Sequence, residues 1–312
     1  MRWSADKFSI LAAALLAALA APAFDSDAWF AERESHAAAA AALRGQYAKF
    51  AAKVATPAEN LTVPLENFAD GSIKSTIFAK RACFFLKEGY IWGEGVTIRQ
   101  MKRDGSVESQ VDAENCLVNR ETRRCWVEGH AKAYYRDQAE IEGDGVYLDA
   151  AGEYAIISTN TVMRADGRTL KGVRLDYDRK AEVAMLDGDA VLTGEERGHG
   201  YRLDGGKVMA FFASTNNLKR VVAYDGVKVK SENRFGRADR AVYLKGAKKI
   251  TMYGGEGGKA LLEERGTRNS TVSGARITFW MDAEQVEVID SEITAETKNV
   301  RKYGGFDGKQ SR

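Results

Sequence analysis

Three histidines and three cysteines are the whole supply of imidazole and thiol groups in this 312-residue chain. His36, His130 and His199 fall in separate segments, and no HExxH or CxxC spacing gathers them, so no metal site is expected. His130 beside Gly129 has the chemistry of a general base, but no GxSxG elbow supplies a nucleophile for it to activate. Gly254-Gly-Glu-Gly-Gly-Lys259 has the glycine density of a phosphate loop. That motif needs Gly at 253 and Ser or Thr at 260, where the chain has Tyr253 and Ala260, so a flexible hairpin tip is expected instead. Cys116 and Cys125 flank 119–124, which reads as a turn. Opposed in a hairpin they are a candidate disulfide, provided their Cα atoms come within about 7 Å. Cys83 would then remain as a buried free thiol. Asp and Glu form no cluster apart from the aspartates of Asp-Gly turns. No cofactor is implied and no catalytic residue stands out from these residues alone.

The charge balance narrows the partners. Lys+Arg 46 against Asp+Glu 44 leaves +2, and no basic excess points to nucleic acid. Residues 1–24 begin with Arg2 and Lys7 and continue with an uncharged run over 8–24, FSILAAALLAALAAPAF. A short basic stretch before an apolar one marks an export segment, and Ala21-Pro22-Ala23 fits a signal-peptide cleavage site. The same residues 8–24 read alternatively as an uncleaved inner-membrane anchor, although 17 residues fall short of the ~20 a spanning helix needs. Both readings place the rest of the chain outside the cytoplasm.

Residues 25–64 are expected to be a helix and a linker. Ala37 to Ala42 is an unbroken run of the best helix former. Leu43, Tyr47, Phe50 and Val54 follow at spacings of 4, 3 and 4, giving one apolar stripe. Pro57 closes the helix, and 58–64 reads as the linker. An ordinary helix packed on the following domain fits best. A membrane-surface helix fits less well, because its charges are mixed in sign.

The pattern then changes to an all-β one over 65–296, with a disordered tail at 297–312. Short Val-, Ile-, Tyr- and Phe-rich runs alternate with polar residues, and Asp-Gly recurs from 70–71 to 307–308 as a signal for tight turns. A weak repeat appears. Glycines 93, 129, 188 and 226 open similar segments at intervals of 36, 59 and 38, with Gly143 opening one more 14 residues after Gly129. A unit of about 40 residues, read as two to four short strands, cannot bury its own apolar face but can do so against its neighbours. Alternation places Val96, Ile98, Val146, Leu148, Ala190, Leu192, Val227 and Val229 on one apolar face, assigned inward. Thr97, Tyr147, Val191 and Lys228 fall on the other.

Segments such as Leu186-Asp-Gly-Asp-Ala-Val-Leu-Thr193, Gly236-Arg-Ala-Asp-Arg-Ala-Val-Tyr243 and Leu170-Lys-Gly-Val-Arg-Leu-Asp-Tyr-Asp178, behind an export segment, resemble the repeat of the LptA/LptC (OstA-like) group of periplasmic lipopolysaccharide-export proteins. The hydrophobic segment, linker and single β domain resemble LptC, whereas the cleavable Ala-rich start resembles LptA. The resemblance implies an open, twisted β-jellyroll of stacked antiparallel hairpins. It implies an apolar trough for acyl chains of lipopolysaccharide, lined here by the eight inward residues. It also implies edge strands that pair with other Lpt β-jellyrolls or a second copy of the chain, next to an inner-membrane ABC transporter, with no catalysis. Two other classes compete: a structural, adhesin-like β-solenoid, and a polysaccharide-active β-helix with converging carboxylates.

Overall fold

The computed structural model describes residues 26–302, apart from 136–138, 150–151, 197, 214–216, 256–257, 266–268, 284, 291 and 294–299. The expected export segment, residues 1–24, and most of the expected tail lie outside the described residues. The chain divides into two compact units, Met1–Ala39 and Ala40–Arg312. Helix α1 (Ser26–Ala51) starts in the first, with Asp27 complementing the positive end of its dipole, and ends in the second, with Lys49 in its last turn. Among the described residues no helix is long and apolar enough to cross a membrane.

The second unit is a single 20-stranded sheet. Its strands are β1 (Ala58–Asn67), β2 (Ile73–Phe85), β3 (Tyr90–Met101), β4 (Val107–Asn119), β5 (Cys125–Tyr135), β6 (Ala139–Leu148), β7 (Tyr154–Ala165), β8 (Arg168–Gly172), β9 (Arg174–Asp178) and β10 (Val183–Glu196). They continue with β11 (His199–Phe212), β12 (Leu218–Ser231), β13 (Arg234–Leu244), β14 (Lys249–Tyr253), β15 (Ala260–Glu264), β16 (Ser270–Gly274), β17 (Arg276–Trp280), β18 (Val286–Ile289), β19 (Glu292–Ile293) and β20 (Val300–Lys302). Pairing is antiparallel between neighbours along the chain. β8 and β9 together fill one strand position between β7 and β10, and β14 and β15 fill the next position after β13. Only β18 with β20 is parallel among the described pairs. This antiparallel meander rules out the coils of a parallel β-helix and agrees with the expected open β-jellyroll of stacked hairpins.

Most of the long strands break their ladder midway. On β12 the pairing with β13 jumps from Tyr224 to Val227, over Asp225 (φ 64) and Gly226 (φ 70). On β11 it jumps from Asp204 to Lys207 over Gly205, whose added Cβ would lie 2.7 Å from the Tyr224 carbonyl oxygen, so no side chain fits. Gly95, Gly129, Gly145, Asn160, the β8–β9 break at Val173, and Gly188-Asp189 continue the same line across β3 to β10. The line is a seam of bulges along which the sheet folds over. A first half-sheet includes 125–127, 183–187 and 220–224; a second includes 131–135, 190–196 and 227–231. One apolar core fills the space between them. On β12 it takes Val221 and Ala223 from one half and Val227 and Val229 from the other.

Several expectations change. A repeat of about 40 residues is one hairpin of two long, kinked strands, mostly 10–14 residues each, rather than two to four short strands. Asp-Gly serves two purposes. At Asp166 (φ 54) and Gly167 (φ 69) it is the two-residue turn of a hairpin, whereas at 187–188 and 225–226 it makes bulges in mid-strand. Both sites need positive φ, so composition does not separate them. The expected linker 58–64 is strand β1, with Leu61, Val63 and Leu65 packed against the core. Pro64 is tolerated there because β1 is an edge strand, whose open side needs no N–H. Val300–Lys302, expected as tail, pairs with β18. β14 ends at Tyr253 and β15 begins at Ala260 in one strand position beside β13, so the glycine-rich stretch does not join the two arms of a hairpin; Gly254 N donates to the Ala275 carbonyl.

Within the second unit, the last turns of α1 cover the outer face of the first half-sheet. Phe50 stacks on Phe85 and Tyr90 at 4.6 and 4.8 Å. The Arg44 guanidinium lies 5.5 Å from the Trp126 ring. Trp92, Leu117, Trp126 and Tyr147 are therefore buried although they face away from the core. Tyr147, expected on an outward polar face, belongs to this second apolar layer beside its cross-strand neighbour Trp126.

Candidate functional site

The inner face of the folded sheet is the candidate site. Val96, Ile98, Val146, Ala190, Leu192, Val227 and Val229 all belong to the single core cluster, and Leu148 packs against it half-buried. Period-two alternation places them there, and each bulge lets the strand turn the corner while both halves keep apolar side chains inward. On β6 the inward positions shift from odd, Ile141, to even, Val146, across the bulge. Close packing of two half-sheets demands this burial as much as a lipid trough would.

The side of the slot opposite the seam is where the outer ends of the half-sheets meet. Four polar ties join them. Arg123, in the β4–β5 turn, meets Glu66 of β1 at 2.6 Å. Arg179, just past β9, meets Glu108 of β4 at 3.4 Å and lies over the Tyr135 ring of β5. Arg168 of β8 donates Nε to the Tyr201 hydroxyl at 2.7 Å and Nη2 to the Tyr243 hydroxyl at 3.3 Å. Its turn neighbour Asp166 accepts from Arg168 Nη1 at 2.9 Å and from Lys245 Nζ at 2.5 Å. Arg234 of β13 donates Nη1 to the Trp280 and Ala283 carbonyls at 2.9 and 3.0 Å.

Arg168 is 6% exposed and is the deepest charge in the slot. Burial opposes its charge, but the Tyr201 and Tyr243 oxygens outweigh that, leaving its pKa above the ordinary arginine value. Burial, then the neighbouring Tyr243, push the Tyr201 phenol well up. Sequence reading missed these ties. One signal was present: Arg168 shares its parity with Leu170, so alternation alone puts a guanidinium on the inward face.

The remaining candidates are not brought together. His130 pairs with Asp144 at 3.1 Å on the outer surface, and His199 with Glu232. Among the described residues no group of three or more His, Cys, Asp or Glu could hold a metal ion. Cys116 faces Val127 and Cys125 faces Val118, so the two cysteines lie diagonally across β4 and β5, not directly opposed. Both are buried free thiols; a hydrogen bond from one to the other, then burial, push the Cys125 thiol well up. Cys83, expected to be buried, is half-buried.

No family model and no curated protein matches the chain. Among solved structures, it is similar to LptH, the LptA-homologous periplasmic component of the lipopolysaccharide transport device of Pseudomonas aeruginosa. The identity is 23%, the match covers 35% of this chain and 77% of that one, and the TM-score is 0.31. A TM-score of that size carries no argument about this chain, whose architecture stands on its own strand pairing.

Proposed function

We propose that this chain is a non-enzymatic component of lipopolysaccharide transport in the periplasm, which holds acyl chains between its two half-sheets. The observation that carries the reading is the single apolar core running between the half-sheets from β2 to β18. A row of alkyl chains needs a continuous lining of that kind, and edge strand β1, paired only with β2 among the described residues, can extend the sheet onto partner β-jellyrolls or a second copy of the chain. The core is filled by side chains, so admitting acyl chains requires the half-sheets to part along the tied side. The four arginine-centred ties are the contacts that would break, and the bulges are where the sheet would flex. Export of the chain, by a cleaved signal or an anchor at residues 8–24, completes the reading.

The test is site-specific photo-crosslinking in membranes with an active transporter. Probes at Val146 and Leu192 are expected to capture lipopolysaccharide in an energy-dependent way, and a probe at the outward Thr97 is not. A folded, exported chain giving no adduct at either inner position would sink the conduit and favour a structural role.

A further inference from the structure

We propose that the outer face of the second half-sheet carries a binding groove for a phosphate group, formed by Lys228, Lys230 and Arg237 around Phe235. The groove has a volume of about 250 Å³ and is also lined by Arg202, Asp204 and Arg265. Pairing fixes its layout. Lys228 on β12 stands directly opposite Arg237 on β13, and Lys230 directly opposite Phe235. Like charges at directly opposed positions destabilise a sheet unless something neutralises them. The nearby acids do not serve. Asp204 faces Lys228 from β11, but both its oxygens accept from Arg202 Nε, at 2.8 and 2.9 Å. Glu263 accepts from Arg265 at 3.1 Å.

Phe235 orders the cations. The Arg265 guanidinium lies 4.4 Å and the Lys230 ammonium 5.7 Å from its ring centre, so the charges are held in place before any ligand arrives. Lys228, Lys230 and Arg237 are exposed, and three full positive charges converge on one groove. That density suits a doubly charged phosphomonoester better than a singly charged carboxylate, and the arginine fork can grip two of its oxygens. The groove faces away from the core, so this proposal stands apart from the lipid-conduit reading.

The test titrates the full chain at low salt with glucose 1-phosphate, a soluble phosphomonoester, by calorimetry, and in parallel measures flotation with phosphatidic acid vesicles against phosphatidylcholine vesicles. Binding to the soluble ester or to phosphatidic acid alone, at least tenfold weaker in Lys228→Gln and in Arg237→Glu, supports the groove. Capture by vesicles without binding of the soluble ester assigns the phosphate to a lipid headgroup, and the reverse assigns it to a soluble ester. Arg237→Glu places an acid opposite Lys228, so its Tm is expected to hold or rise, which separates lost binding from lost folding. Failure of both probes to bind, binding untouched by the two substitutions, or a clear fall in Tm for Arg237→Glu overturns the proposal. An inner-face crosslinking failure would leave this result unchanged.

Discussion

At the scale of single residues, the polar groups with most influence on stability are those joining the outer ends of the half-sheets. Arg168→Met keeps the aliphatic volume but strips Tyr201, Tyr243 and Asp166 of a shared donor in a nearly dry site. Leaving such groups unsatisfied costs about 3 kcal/mol. The midpoint of urea unfolding is expected to fall accordingly, and an unchanged midpoint would show that the tie contributes nothing. Acid acts on half-buried carboxylates. Hydrogen bonds from Arg164 hold Glu142 low, and those from Asn160 and His130 hold Asp144 low. Burial raises Glu66, but hydrogen bonds from Lys74 and Arg123 outweigh it and leave its pKa lowered. A lowered folded pKa adds stability above the unfolded value that is lost as pH falls through the folded value. Stability is therefore expected to be flat from pH 7 to about 5 and to decline below about pH 4. Urea midpoints at pH 7, 5 and 3 check the sign; a rise at pH 3 would contradict it.

At the scale of elements, the helix and the strands were legible to different degrees. The stripe Leu43, Tyr47, Phe50 marked the packing face of α1, because helical periodicity survives any choice of partner. Phe50 is the anchor, 1% exposed between Phe85 and Tyr90. Phe50→Ala is expected to cost about 3–5 kcal/mol and to release the last turns of the helix, seen as faster amide exchange over 40–51 with the sheet still protected. Strand identity was legible from alternation, which is why the eight inward positions from Val96 to Val229 all lie on or against the core. Strand length was not. An Asp-Gly pair satisfies positive φ equally in a hairpin at 166–167 and in a bulge at 225–226, and only the ladder on either side tells them apart. β1 was hidden by Pro64, by Pro57 just before it and by Asn60, a composition that reads as a loop until its edge position is known. The arginine ties were hidden for a different reason. Their partners are as far as 75 residues away in sequence, and nothing local encodes that separation.

At the scale of the whole sheet, connectivity sets how stability is distributed. Every strand from β1 to β6 hydrogen-bonds only to its neighbours in the chain, and from β7 onward the exceptions are strands split at the seam and the parallel pair β18 with β20. The sheet is therefore close to a one-dimensional array, in which each hairpin is held by its own packing and by the interfaces on its two sides. Interior strands have two such interfaces and the outermost have one. The core is continuous but its layers are local, because each bulge folds a strand back over its own hairpin and the ties join ends that face each other across the slot. Opening free energies should then fall from the centre outward. Native-state amide exchange is expected to give the highest protection over β6 to β12 and lower values for β1 and for β16 to β20, where strands are two to five residues long apart from β1. A chain shortened to end at residue 248 should keep the protected centre, with Tm lowered rather than folding abolished. A single opening free energy shared by β1, β9 and β17 would instead mean that the ties and the core weld the sheet into one cooperative unit. The half-sheets then could not part locally, and a lipid path between them would need the whole sheet to open at once.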